Sequence, residues 1–140
     1  MSEESKQVVL RQIEALNSGD LDAAEALTHR DFFNHDAVAS RANGPQGLRA
    51  TFANLRSAFA GFRFEPLDVI AEGDRVVVRA RVSGRHVGEF AGMQPTGREF
   101  SVQHIHIWRL AEGQIVEHWA TRDDVAAMRQ LGVLPQPALA

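Results

Sequence analysis

The run Val102-Gln103-His104-Ile105-His106-Ile107-Trp108, the pair Glu112-Gly113 and the run Val116-Glu117-His118-Trp119 constrain the fold more than any other stretch of the chain. Aromatic and aliphatic residues alternate with a period of two, which marks strands rather than helices. A Glu-Gly pair between two such runs reads as the two-residue turn of a β-hairpin. Successive side chains of a strand point to opposite faces, so His104, His106 and Trp108 share one face and Ile105 and Ile107 the other. Counting outward from the turn, His106 is expected to face Trp119, His104 to face Thr121, Trp108 to face Glu117 and Val102 to face Asp123. That register gathers two imidazoles, two indoles and a carboxylate on one surface. A plain core has no use for such a set; a proton-transfer pocket does.

Other chemistries drop out on composition. The chain has no cysteine, which removes disulfides, thiolate catalysis and cysteine-based zinc sites. It also has no tyrosine, so an enolate or a water cannot be held by a phenol. A net charge of −3 makes no electrostatic case for nucleic acid or an anionic membrane. The N-terminal residues Met1 to Lys6 are polar, without a signal-peptide core, and no apolar run has membrane-spanning length. A cytoplasmic protein is the expectation.

The 140 residues suit one domain over 1–140, with a core of about 5–133 and a tail of 134–140. Val9, Ile13 and Leu16 predict a helix over 3–16, stopped at Asn17-Ser18-Gly19. Asp20 caps a second helix over 21–27. Residues 28–36 are short and mixed. Pro45 opens a third helix, with Leu48, Phe52, Leu55 and Phe59 on one stripe ending at Gly61. Strands follow over 62–71, 75–86, 99–110 and 114–122, and a short helix over 124–131. Helices followed by an antiparallel meander argue an α+β fold.

This order of elements resembles the SnoaL-like polyketide cyclase (ester cyclase) group of the NTF2-like superfamily. The resemblance is carried by Asn34-His35-Asp36, Gly44-Pro45-Gln46-Gly47, Glu72-Gly73-Asp74-Arg75-Val76 and Gly84-Arg85-His86-Val87-Gly88. It continues in Gly92-Met93-Gln94-Pro95-Thr96-Gly97, Glu117-His118-Trp119 and Gln130-Leu131-Gly132. It implies an α+β cone, a curved and largely antiparallel (mixed) sheet with the N-terminal helices on its concave face, enclosing a hydrophobic pocket. It also implies a homodimer or higher homo-oligomer, a hydrophobic small-molecule substrate, and ring closure by intramolecular aldol condensation without metal or cofactor. Asp123 matches the family's general acid/base and His106 its assisting histidine. His104 stands where the cyclases carry glutamine, a departure from the pattern.

Substrate contacts are expected from His104, Asn34, Trp119, Trp108, His86, Phe33, Phe52 and Phe59. Burial in an apolar cone would lift the Asp123 carboxyl toward neutrality, fitting it for base and then acid. Each residue also has a plainer reading. Asp123 suits the N-cap of the last helix. The histidines suit half-buried structural positions. His118, on the face away from His106, suits a subunit interface. The His-x-His spacing fits a metal, but a third ligand would have to come from Asp123, Glu117 or His35, and no metal is expected. The alternatives to a cyclase are a non-catalytic binding protein of the same fold and an isomerase or hydrolase using the same pocket.

Overall fold

The computed structural model describes residues 2–36 and 43–135; the expected tail lies outside the described residues from 136 onward. Helix α1 (Ser2–Ser18) buries Val9, Ile13 and Leu16 along one stripe, with Glu3 and Glu4 at its positive N-terminal end. In α2 (Leu21–Ala26) the Asp20 side chain accepts from the Ala23 N–H, as its capping position predicts. Pro45 sits in the first turn of α3 (Gly44–Ala58). Strand β1 (Thr28–Asn34) lies between α2 and α3. Strands β2 (Phe59–Glu72), β3 (Arg75–His86), β4 (Glu99–Ala111) and β5 (Gln114–Arg122) follow, then α4 (Asp124–Leu131). No described helix is long and apolar enough to cross a membrane.

The five strands form one curved, unclosed sheet in the order β1-β5-β4-β3-β2. All pairs are antiparallel except β1, which runs parallel to β5. Two differences from expectation bear on the site. Residues 28–34 become an edge strand, because pairing with β5 supplies order that their own mixed pattern does not. Strand β2 begins at Phe59, so Phe59 leaves the helical stripe and enters the sheet.

One face of the sheet carries Val76, Val78, Ala80 and Val82 of β3 and Val102, Trp108 and Leu110 of β4, packed with Val9, Ile13 and Leu16 of α1. The Asn17 side chain fastens the end of α1 to β2. Its amide donates to the Phe64 carbonyl at 2.9 Å and accepts from the Phe64 N–H at 2.7 Å.

The hairpin turn forms as expected. Glu112 and Gly113 have φ of 56° and 75°, the left-handed pair a type I′ turn requires. Ala111 pairs with Gln114 and Leu110 with Ile115. The next pair is Arg109 with Glu117, which leaves Val116 as an extra residue on β5. This is a β-bulge. Beyond it Trp108 faces His118, Ile107 faces Trp119, His106 faces Ala120 and His104 faces Arg122. A one-residue slip exchanges the faces of a strand. The expected pairings of His106 with Trp119, His104 with Thr121, Trp108 with Glu117 and Val102 with Asp123 are therefore corrected. His118 joins the inner face, and Glu117 and Trp119 leave it.

Gly84 lies opposite Phe100, and a Cβ there would stand 2.9 Å from the Phe59 Cβ, closer than carbon atoms tolerate. Gly84→Ala should lower stability by about 1–3 kcal/mol through overpacking. Urea unfolding checks this; an unchanged midpoint would mean that the β2–β3 contact is looser than described.

Candidate active site

The bulge creates a line of hydrogen bonds along the inner face. The His118 Nδ1 lies 2.8 Å from the Asn34 Oδ1. The His118 Nε2 lies 2.7 Å from the His106 Nδ1, and the His106 Nε2 lies 3.1 Å from the His104 Nδ1. Three strands build the line: β1 ends in Asn34, β5 presents His118, and β4 presents His106 and His104 two residues apart. His106 and His118 are buried and His104 is half-buried. Trp108 stacks on His106 with ring centroids 5.4 Å apart, and Phe64 meets His106 edge-on at 4.9 Å. The ring nitrogens are paired within the line, apart from the Nε2 of His104, which has no partner among the described residues.

Burial keeps these rings neutral, because an apolar surround disfavours the imidazolium. It lowers the His104 pKa to about 4, helped by the Arg122 cation and opposed by Asp124 and Asp123. It lowers His118 to about 3, with Arg122 and His35 acting in the same direction. His106 lies well below its ordinary value through burial, then through the neighbouring His118 and His104. Arg122 is itself held by an ion pair with Asp36 and by Asp124 at 3.3 Å. Burial raises the Asp36 pKa, with Arg122 pulling the other way.

The expected residues separate into distinct places. His104, His106, Trp108 and Asn34 come together. The Asn34 amide oxygen, expected to meet substrate, is taken by His118 and by the Asp36 N–H at 3.0 Å. Trp119, expected as pocket wall, is on the outer face, stacked on His35 at 4.7 Å with the Arg75 guanidinium 5.0 Å above it. Phe33 is likewise outside, exposed and edge-on to His35. Glu117 is outside too, paired with Arg109 at 2.5 Å and His35 at 2.8 Å.

Asp123 is exposed and caps α4, accepting from the Ala126 N–H at 3.2 Å, so the apolar burial expected for it is absent. His86 is fully buried beside Phe59, its Nε2 without a partner. Phe59 is buried with Phe62, Phe90 and Phe100 around it, and Phe52 packs against the same core. Two surface depressions are lined by none of the histidines: one beside Asp22, Glu25, Ala26 and Pro45, the other beside Asn17, Arg56, Phe59, Gly61 and Phe62. Among the described residues no group of three or more His, Asp or Glu side chains is arranged to hold a metal ion.

The alternation argument exchanged the faces of β5 beyond the bulge, so that it missed His118 and Ala120 on the inner face. The one sequence sign was Ile115-Val116, two adjacent apolar residues where strict alternation calls for one. Ala120 faces His106 with a methyl group, so no carboxylate stands at that point of the face.

A curved, unclosed five-stranded sheet with helices against it is the α+β architecture of NTF2-like proteins. Within it, the sequence profile of the SnoaL-like polyketide cyclase family matches residues 6–131, and the chain belongs to that family. It is 33% identical over 128 residues to the aklanonic acid methyl ester cyclase DnrD of Streptomyces peucetius, covering 89% of this chain and 88% of that protein. It is 30% identical over 122 residues to the nogalonic acid methyl ester cyclase of Streptomyces nogalater, covering 86% and 91%. Among solved structures, TsrD from Streptomyces laurentii superposes with a TM-score of 0.86 at 30% identity, over 94% of this chain and 97% of that one.

The neutral histidines make stability depend on pH. Unfolded imidazoles bind protons as pH falls through about 6.5, whereas the buried ones do not until about 4 or lower. The unfolded state therefore holds more protons in that window, and stability is lost as pH falls through it. Calorimetry should show Tm dropping from about pH 6.5 to about pH 4, with a shallower slope in His118→Gln. Equal slopes in both proteins would contradict the assignment.

Proposed function

We propose that this chain is a polyketide cyclase that closes a ring by intramolecular aldol condensation of a hydrophobic methyl ester of the aklanonic or nogalonic kind, with His104 exchanging the proton. The observation that carries this reading is the line of neutral imidazoles ending in a His104 Nε2 that has no partner among the described residues, in a chain that matches cyclases over most of its length.

The chemistry follows from that nitrogen. The His104 Nε2 lone pair takes a proton from a carbon flanked by carbonyls, leaving an enolate and an imidazolium. The enolate carbon attacks the ring-closing carbonyl, and the imidazolium returns its proton to the new alkoxide, restoring neutral His104. A pKa of about 4 keeps the base unprotonated but makes it weak. The two carbonyls acidify the carbon, and an enolate formed beside the ring raises the ring's proton affinity, since an opposite charge favours the charged form. Asp123 and Asp124 act in the same direction on His104. Asp123 thus assists from the rim, and His106 orients His104 from behind. Trp108 supplies the apolar wall behind His106 and His118.

His104→Ala should lower kcat with aklanonic acid methyl ester by at least about 100-fold, the usual contribution of a positioned acid/base, and Asp123→Asn by less than about tenfold. Formation of the cyclised ester, followed by chromatography, is the readout. The reverse order of effects would return the proton transfer to Asp123.

We further infer a homodimer through the outer face of the sheet. Ile70, Ile105 and Phe33 are 63%, 48% and 47% exposed there, close to the Trp119–His35 stack, which is a large apolar area for one face of a monomer. Ile105→Glu should turn a dimer into a monomer in sedimentation; a wild-type monomer would overturn this.

A further inference from the structure

We propose that Asn34, acting through His118 and His106, holds His104 in its Nδ1–H tautomer and so keeps the Nε2 lone pair free to take a proton. The proposal rests on the acid–base reading above and names its positioning residues: Asn34, His118 and His106.

The argument begins at a group that cannot reverse. The Asp36 backbone N–H can only donate, and it lies 3.0 Å from the Asn34 Oδ1. This fixes which end of the Asn34 amide is oxygen. That oxygen can only accept, so the His118 nitrogen 2.8 Å away must carry a hydrogen. A neutral imidazole has one N–H, so the His118 Nε2 is a lone pair. It accepts from the His106 Nδ1–H at 2.7 Å. The His106 Nε2 is then a lone pair in turn, and accepts from the His104 Nδ1–H at 3.1 Å. The same step leaves the His104 Nε2 unprotonated. Reversing the line would set a lone pair of His118 against the Asn34 oxygen.

The direction matters because free neutral imidazole prefers hydrogen on Nε2. Left alone, His104 would mostly present an N–H where a base is required. The rings cannot escape by taking a second proton: Phe64 and Trp108 enclose His106, Trp108 also packs on His118, His104 is half-buried beside them, and Arg122 repels charge on all three. His35 adds to that repulsion at His118, and the carboxylates that oppose it at His104, Asp123 and Asp124, lie at the start of α4. Asp36 is engaged with Arg122.

The test uses full-length protein with nitrogen-15 in its histidines. In the wild type, NMR should find the Nε2 of His104, His106 and His118 unprotonated and each Nδ1 protonated at neutral pH. Asn34→Leu removes the terminal acceptor, and His104 should revert mainly to the Nε2–H form. His118→Gln preserves the direction, since its amide oxygen accepts from His106 and its N–H donates to Asn34. It should keep the His104 tautomer and hold kcat within about threefold, whereas Asn34→Leu and His118→Leu lose at least about tenfold in kcat at nearly constant KM.

A protonated Nε2 on wild-type His104, or an unchanged tautomer in Asn34→Leu, would overturn the proposal. So would His118→Gln as slow as His118→Leu, which would make His118 a proton carrier. The NMR arm needs no substrate. If the wild type leaves aklanonic acid methyl ester unchanged, the cyclase reading falls, and the tautomers still decide this proposal.

Discussion

The hydrogen bond between His106 and His118 is the contact on which the site depends, and it exists because β5 holds one residue more than its partner strand. Without the bulge at Val116, Trp119 would lie beside His106 and His118 would face outward. With it, an imidazole meets an imidazole, the β1 edge delivers Asn34 to the far side, and the inner face acquires a polar line inside an apolar wall. A bulge beside a functional site is a common way for a sheet to re-aim a side chain.

The line is costly to bury and is retained by being almost fully paired. An unpaired buried polar group loses about 1–3 kcal/mol of solvation. Here each junction satisfies a donor and an acceptor together, and among the described residues the one ring nitrogen left over belongs to half-buried His104. The two faces of the same strands divide the labour. Inside, neutral imidazoles pack on Phe64 and Trp108. Outside, Glu117, His35, Arg109 and the Trp119–Arg75 stack make a charged and aromatic surface around exposed isoleucines.

Much of the fold was legible because the signals are local. Val9, Ile13 and Leu16 announce α1, Asp20 and Pro45 mark helix starts, and Glu112-Gly113 demands its turn. The family words cover nearly the whole chain. Strand β1 was not legible, because Thr28–Asn34 has no alternation of its own and is ordered by a parallel neighbour distant in sequence. The site was half legible. The faces of β4 follow from period two, so His104, His106 and Trp108 were grouped correctly. The face of β5 depends on a bulge chosen by packing, and Ile115-Val116 is a faint sign of it. Asp123 shows a second limit: an aspartate ahead of a helix satisfies the capping rule and a catalytic motif equally, and here it caps α4 from an exposed position.

The most direct measurement of this account is the nitrogen–nitrogen coupling transmitted across the imidazole hydrogen bonds in nitrogen-15-labelled protein. The register described here predicts a coupling between the His106 Nδ1 and the His118 Nε2, and a weaker one between the His104 Nδ1 and the His106 Nε2. A His106 ring coupled to no other imidazole, with nuclear Overhauser contacts to the Trp119 indole instead, would place β5 in the unbulged register and contradict the account.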